Sequence, residues 1–85
     1  MTSLTACTLV LEYEHVNKNV SVGNIWIYAG NGLRDLDTDG DLGERPGWVR
    51  LASSLDYEVA AKIHENLESF LTANGVKVIS EGVAS

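Results

Sequence analysis

The chain has 85 residues, of which 45% are hydrophobic and 21% are charged, and its net charge is −6. This length and composition predict a single small folded domain, residues 1–85, and argue against wholesale disorder. Its basic residues are few and scattered, so direct binding to a nucleic-acid backbone, which depends on clustered Lys and Arg, is not expected. An acidic protein of this size is instead attracted to basic surfaces.

Cys7 is the single cysteine of the chain, which excludes an intramolecular disulfide and a two-cysteine zinc or redox motif. No basic residue lies beside it in sequence, so we expect a small buried hydrophobic side chain and not a reactive thiol. No segment approaches the roughly 20 apolar residues of a membrane span. The first residues also lack the positive charge and apolar run of an export signal. These features predict a cytoplasmic location.

Two strands joined by a tight turn are predicted at the start of the chain. Apolar and polar residues alternate over residues 7–16, and residues 20–29 are rich in β-branched and aromatic side chains. Residues 17–19 have the composition of a hairpin turn. Gly23, inside the return strand, predicts a bulge or a bend.

A long loop, a third strand, a helix and a last strand are predicted to follow. Residues 30–47 show no periodicity, and a loop of about eighteen residues is longer than most in compact domains. Residues 48–52 read as a short strand, and residues 76–80 as a final strand before a flexible tail at 81–85. The helix is predicted over residues 55–73.

The predicted helix has a start signal, a stop signal and one apolar stripe. Ser53 and Ser54 are typical N-cap residues, and Asn74-Gly75 is a typical stop. Apolar residues recur at helical spacing along the predicted helix. These residues are Leu55, Val59, Ile63, Leu67, Phe70 and Leu71.

The element order β-β-loop-β-α-β predicts an α+β fold. Three antiparallel strands carry the helix on one face, and the final strand lies at an edge, parallel to its neighbour and reached by a right-handed crossover.

One helix leaves the second face of the sheet without a helix to cover it. If Ile25 and Ile27 face the helix, the alternating residues face away and form an exposed aromatic surface, with a composition typical of binding interfaces. In the opposite register the tryptophans fill the core, because a shift of one residue flips every side chain. The residues predicted on the uncovered face are Trp26, Tyr28, Trp48, Arg50 and Val10.

The stretch from residue 35 to residue 44 is strongly acidic and contains no basic residue. Carboxylates at every second position repel each other unless water, a cation or a basic partner screens them. The stretch therefore predicts a solvated loop, a cation site or a docking surface. Its acidic residues are Asp35, Asp37, Asp39, Asp41 and Glu44.

The same stretch partly matches the Ca²⁺-loop pattern D-x-D-x-D-G, with Asp35, Asp37 and Asp39 at positions 1, 3 and 5. Asp41 would contribute its backbone carbonyl at position 7. Position 12, which should hold a bidentate Glu, is Pro46, and the flanking helix of an EF-hand is absent. A weak Ca²⁺ module with these four aspartates as ligands is therefore an alternative interpretation, and otherwise no cofactor is expected.

Catalytic motifs are not evident. His15, beside the predicted turn, and His64, in the predicted helix, are interpreted as ordinary surface or boundary histidines. Nothing in the sequence pairs either histidine with Cys7. We therefore do not expect an enzyme.

The favoured function is a non-catalytic binding or inhibitor protein that docks on a basic partner surface, such as the nucleic-acid groove of a nucleic-acid-handling protein. In general profile the chain resembles the small inhibitors that phages and mobile elements encode, anti-CRISPR proteins among them. A homodimer assembled through the aromatic face is a further alternative. The predicted partner-binding residues are Asp35, Asp37, Asp39, Asp41, Glu44, Trp26, Tyr28 and Trp48.

Overall fold

The computed structural model describes residues 5–36 and 41–84. Its strands are β1 (Ala6–Asn17), β2 (Val20–Ala29), β3 (Trp48–Asp56) and β4 (Lys77–Ala84). Its helices are the single-turn α1 (Leu33–Leu36) and the long α2 (Tyr57–Ala73), and a 3₁₀ turn spans Leu42–Glu44. The four strands form one sheet in the order β3-β2-β1-β4. The predicted α+β fold, with one main helix on the sheet, is confirmed.

The sheet is mixed in direction. β1 pairs antiparallel with β2, β2 pairs antiparallel with β3, and β4 pairs parallel with β1 at the opposite edge. The predicted hairpin and the parallel edge strand are therefore correct. The described helices include none that is long and apolar enough to cross a membrane.

β3 is longer than the sequence predicted, and the start of the helix is displaced accordingly. The strand continues past residue 52 to Asp56, so Ser53 and Ser54 do not cap the helix. Ser54 has a left-handed φ of 56°, and its N–H donates to Oδ1 of Asn24 at 2.8 Å. The pairing between β2 and β3 shifts register on both sides of Ile25. These irregularities let the strand continue through a sequence that resembles a helix cap.

α2 is rotated relative to the predicted apolar stripe. Ala60 is fully buried against the sheet, whereas Val59 is 49% exposed and Phe70 is 64% exposed. A Cβ added at Gly23 would lie 2.5 Å from the Cβ of Ala60, so two small residues allow the helix to approach β2 closely. Leu67 still packs on the core as predicted. The stripe prediction was wrong at Val59 and Phe70, because small residues and not large ones mark this contact.

The two faces of the sheet carry separate apolar clusters. Beneath α2 the cluster is built on Leu9, Leu11, Ile25 and Ala60. On the opposite face the cluster consists of Val10, Trp26, Leu42 and Trp48, with Leu36, Tyr28 and Val83 packed against it. The second cluster draws its cover from the loop between β2 and β3.

Two further predictions are corrected by the fold. The tail predicted at 81–85 is strand as far as Ala84, because β4 stays in register with β1 through the pair Tyr13↔Ala84. The region predicted as a structureless loop contains α1 and the 3₁₀ turn. Asp37 and Asp39 lie outside the described residues.

Candidate functional site

The candidate site lies on the sheet face opposite α2, and its floor is an aromatic layer. Trp26 is 5% exposed, Trp48 is 8% exposed, and the ring centroids of Tyr28 and Trp48 lie 5.1 Å apart. The prediction that these residues face away from the helix is confirmed. The expectation that Trp26 and Trp48 are exposed was wrong, because Leu36 and Leu42 of the loop pack over them.

The loop is anchored to this layer by specific hydrogen bonds. Nε1 of Trp48 donates to Oδ2 of Asp35 at 2.7 Å. On β1, Oγ1 of the buried Thr8 accepts from the N–H of Gly32 at 2.7 Å and donates to the carbonyl of Gly30 at 2.8 Å. Charge-assisted bonds such as the Asp35 contact are stronger than neutral ones. Asp35 therefore has a structural role in fixing the loop over the tryptophans.

Asp41 also has a local structural role. Its Oδ1 accepts from the N–H of Gly43 at 2.8 Å, which caps the 3₁₀ turn and places Leu42 on the aromatic layer. Asp41 and Glu44 remain exposed. Capping uses one of the two carboxylate oxygens of Asp41, so its charge remains available at the surface.

A polar network lies beside the tryptophans. Oε1 of Glu12 accepts from Nδ2 of Asn24 at 3.0 Å and from Nε1 of Trp26 at 3.3 Å. Asn24 is 8% exposed, and its Oδ1 receives the N–H of Ser54. The network links β1, β2 and β3. It also holds a carboxylate group next to the aromatic layer.

These elements enclose an open polar groove of about 780 Å³. The guanidinium carbon of Arg50 lies 5.6 Å from the centre of the Trp26 ring, within the range of a cation–π contact. Ser53, Ser54, Val83 and Ala84 also line the groove. The carboxylates that line it are those of Glu12, Glu14, Asp35 and Asp41.

The excess of carboxylates makes the groove suited to positively charged groups. Among the described lining residues, four carboxylates against one guanidinium favour a negative potential, and a concave protein surface focuses such a potential. Lysine and arginine side chains form charge-assisted hydrogen bonds with carboxylates in this kind of setting. The arrangement can therefore bind cationic side chains by electrostatics without any covalent step.

Sequence reasoning found only part of this groove. Asp35 and Asp41 were predicted as site residues, but Glu12, Glu14 and Asn24 were not. The alternation of β1 already indicated that Glu12 lies on this face. Val10 was assigned to the uncovered face, and Glu12, two residues later, shares that face. The hairpin register Val10↔Trp26 and Glu12↔Asn24 completes that assignment.

The described residues contain no group of three or more His, Cys, Asp or Glu side chains arranged to hold a metal ion. Asp37 and Asp39, two of the four proposed Ca²⁺ ligands, fall outside the described part of the chain. The Ca²⁺ alternative therefore stays a prediction from sequence.

The remaining candidate residues have structural partners. Cys7 is fully buried, and burial raises the pKa of its thiol, which disfavours the reactive thiolate. Nδ1 of His15 lies 2.8 Å from Oγ of Ser21 across the exposed end of the hairpin. Nε2 of His64 lies 3.1 Å from the carbonyl oxygen of Leu9, where it ties α2 to the central strand.

No protein-family model, curated protein or solved structure matches this chain.

Proposed function

We propose that this chain is a non-catalytic binding protein whose acidic groove docks on a basic surface of a protein partner. The observation that carries the proposal is the charge of the groove: among the described residues that line it, four carboxylates accompany the guanidinium of Arg50. The net charge of −6 adds a longer-range attraction to a basic partner. In this proposal the protein acts by occupying the partner's surface.

The partner class that fits this chemistry is a nucleic-acid-handling protein, because its binding surface is built to receive rows of phosphate charges. Glu14 and Asp41 stand at the groove as carboxylates available for such contacts. Glu44, exposed in the 3₁₀ turn that Asp41 caps, adds a further carboxylate. The contribution of the acidic residues at 37 and 39 stays a prediction from sequence. Trp26 and Trp48 support the groove from beneath as its rigid floor.

A calorimetric titration with a deca-arginine peptide tests the proposal at the level of the groove. The double variant E14Q/D41N removes two groove charges while preserving the Asp41 cap, since an Asn oxygen also accepts the Gly43 N–H. The matched control E58Q/E65Q removes two exposed charges from α2. Both variants have the same net charge, so a difference in their affinity for the peptide reports the position of the removed charges.

The expected result is a loss of affinity of about fivefold or more for E14Q/D41N, because each charge-assisted contact contributes on the order of 1 kcal/mol. The control should change affinity by less than about twofold at physiological salt, where surface charges beyond roughly 8 Å are screened. An equal effect of the two variants would show that the peptide responds to net charge alone. That result, or no binding by the unmodified protein, would contradict the proposal.

A further inference from the structure

The two edges of the sheet differ in how open they are to another strand. At β3 the pairing with β2 shifts register twice, and Ser54 takes a left-handed φ of 56°. Bulges and irregular backbone of this kind discourage pairing with a foreign strand. β4 pairs with β1 without a register shift from Lys77 to Ala84, and β4 is the last strand in the sheet order. β4 is therefore the regular edge of the described sheet.

The direction of the backbone groups on β4 follows from one hydrogen bond. The N–H of Lys77 donates to the carbonyl of Thr5 at 2.9 Å, so the backbone of Lys77 points inward, towards β1. Because backbone groups alternate along a strand, Ile79 and Glu81 also point inward. Val78 and Ser80 then direct their N–H and C=O groups outward, away from the sheet.

The side chains of β4 carry a pattern that is complementary to itself. Lys77, Ile79 and Glu81 share one face of the strand, with the cation at one end, the anion at the other and the apolar residue between them. If a second β4 runs antiparallel with Ile79 on the two-fold axis, each Lys77 lies opposite a Glu81. Lys77 and Glu81 are exposed and Ile79 is partly buried, so all three are placed to meet such a neighbour.

The backbone pattern is compatible with this register. With Ile79 on the axis, Val78 of each copy lies opposite Ser80 of the other, and these are the residues whose N–H and C=O groups point outward. Each such pair exchanges two hydrogen bonds in an antiparallel ladder. Ile79 and the charged residues then fall at non-hydrogen-bonded positions, where opposite side chains approach most closely. The charge pattern of the side chains therefore selects this register, and the outward backbone groups allow it.

We propose that β4 is a self-association edge, through which two copies of this chain pair antiparallel about Ile79. The paired chains share one continuous sheet, and their α2 helices lie on the same side of it. This surface is separate from the aromatic face considered from sequence. The contact is small, so a weak and concentration-dependent dimer is expected.

The experiment is sedimentation equilibrium of the unmodified protein from about 10 μM to 1 mM, a range that covers the weak complexes expected of a small interface. The expected result is an average mass that rises from 9.2 kDa towards twice that value. A constant mass of 9.2 kDa up to the highest concentration would overturn the proposal.

Charge swaps test the register. K77E and E81K each place like charges opposite one another in both symmetry-related pairs, and each should weaken the dimer by about tenfold or more. The double variant K77E/E81K restores opposite charges and should recover the dimer, with the net charge of the unmodified protein. Equal weakening in all three variants, or no weakening in any, would overturn the Ile79-centred pairing.

A proline substitution tests the edge itself. S80P removes an N–H that points away from β1, so it should abolish the dimer and preserve the fold, as prolines at sheet edges do. S80A keeps the N–H and is the control that should still dimerise. Far-UV circular dichroism verifies that S80P is folded, and if it is not, the charge swaps decide the question. A folded S80P variant that still dimerises would overturn the proposal.

Discussion

On one face of the sheet a 17-residue helix covers the strands, and on the other a loop with two single-turn elements does so. The helix face is closed by apolar contact and by the close approach of Gly23 to Ala60. The loop face is closed by Leu42 and by hydrogen bonds to side chains, of which the Asp35–Trp48 bond is one.

The comparison shows why the groove lies where it does. A helix satisfies its own backbone groups internally and can cover a sheet with apolar side chains alone. A loop requires polar anchors for its backbone and for the indole N–H groups beneath it. Asp35 and Glu12 accept hydrogen bonds from the two indole N–H groups on this face, and both carboxylates line the groove. We therefore propose the loop face as the one that binds a charged partner.

The first prediction concerns the helix face. Gly23→Ala places a Cβ where Ala60 already lies, so the helix must shift, and overpacking of this kind costs about 1–3 kcal/mol. Gly82→Ala is the matched control, since its nearest neighbour would be 3.9 Å away. Urea unfolding of both variants measures the difference. Equal stability of the two would show that the close approach at Gly23 does not exist in solution.

The next prediction tests the cover of the loop face. Leu42→Ala removes a side chain that is 5% exposed, and a buried Leu→Ala change costs about 2–5 kcal/mol, with the lower end expected for a site that can collapse. Both tryptophans lie in the cluster that Leu42 completes, so their fluorescence should shift to longer wavelength. Leu67→Ala, on the helix face, is the control and should leave the emission unchanged. Unchanged emission in the Leu42 variant would contradict the packing of the loop.

The smallest expected effect on stability concerns the irregular edge strand β3. Ser54→Gly relieves a left-handed conformation, which costs a non-glycine residue roughly 1–2 kcal/mol. This gain in stability is partly offset, because glycine loses more backbone entropy on folding, a cost of about 0.5–1 kcal/mol. A net stabilisation below about 1 kcal/mol is expected. Ser53→Gly, whose residue has no positive φ, should destabilise instead. If both variants destabilise equally in thermal unfolding, the strained geometry at Ser54 is refuted.

The sequence predicted the hairpin well because alternation is a local signal that the observed register preserves over Cys7↔Ala29 to His15↔Ser21. It misplaced the helix face because large apolar residues dominate a periodicity count, whereas the real contact uses the small pair Gly23 and Ala60. It missed the end of β3 because Ser53-Ser54 matches a helix cap. Pairing with β2 as far as Val22↔Asp56 and the hydrogen bond to Asn24 keep this segment in the strand.

For the groove, the aromatic residues were placed on the correct face, but their burial was not predicted. Leu36 and Leu42 belong to a segment without periodicity, so nothing in the sequence indicated that they pack on Trp26 and Trp48. Glu12 was overlooked because its role arises from neighbours on β2.

The most direct test of the central claim, that the loop face is the binding face, is an amide NMR titration of the labelled protein with deca-arginine. Saturating shifts are expected at residues 12–14, 24–26 and 50–54, which line or adjoin the groove. Amides of the exposed α2 residues 58, 59, 62, 65 and 66 should remain unchanged. Shifts concentrated on α2, or spread evenly over all acidic surfaces, would contradict the account.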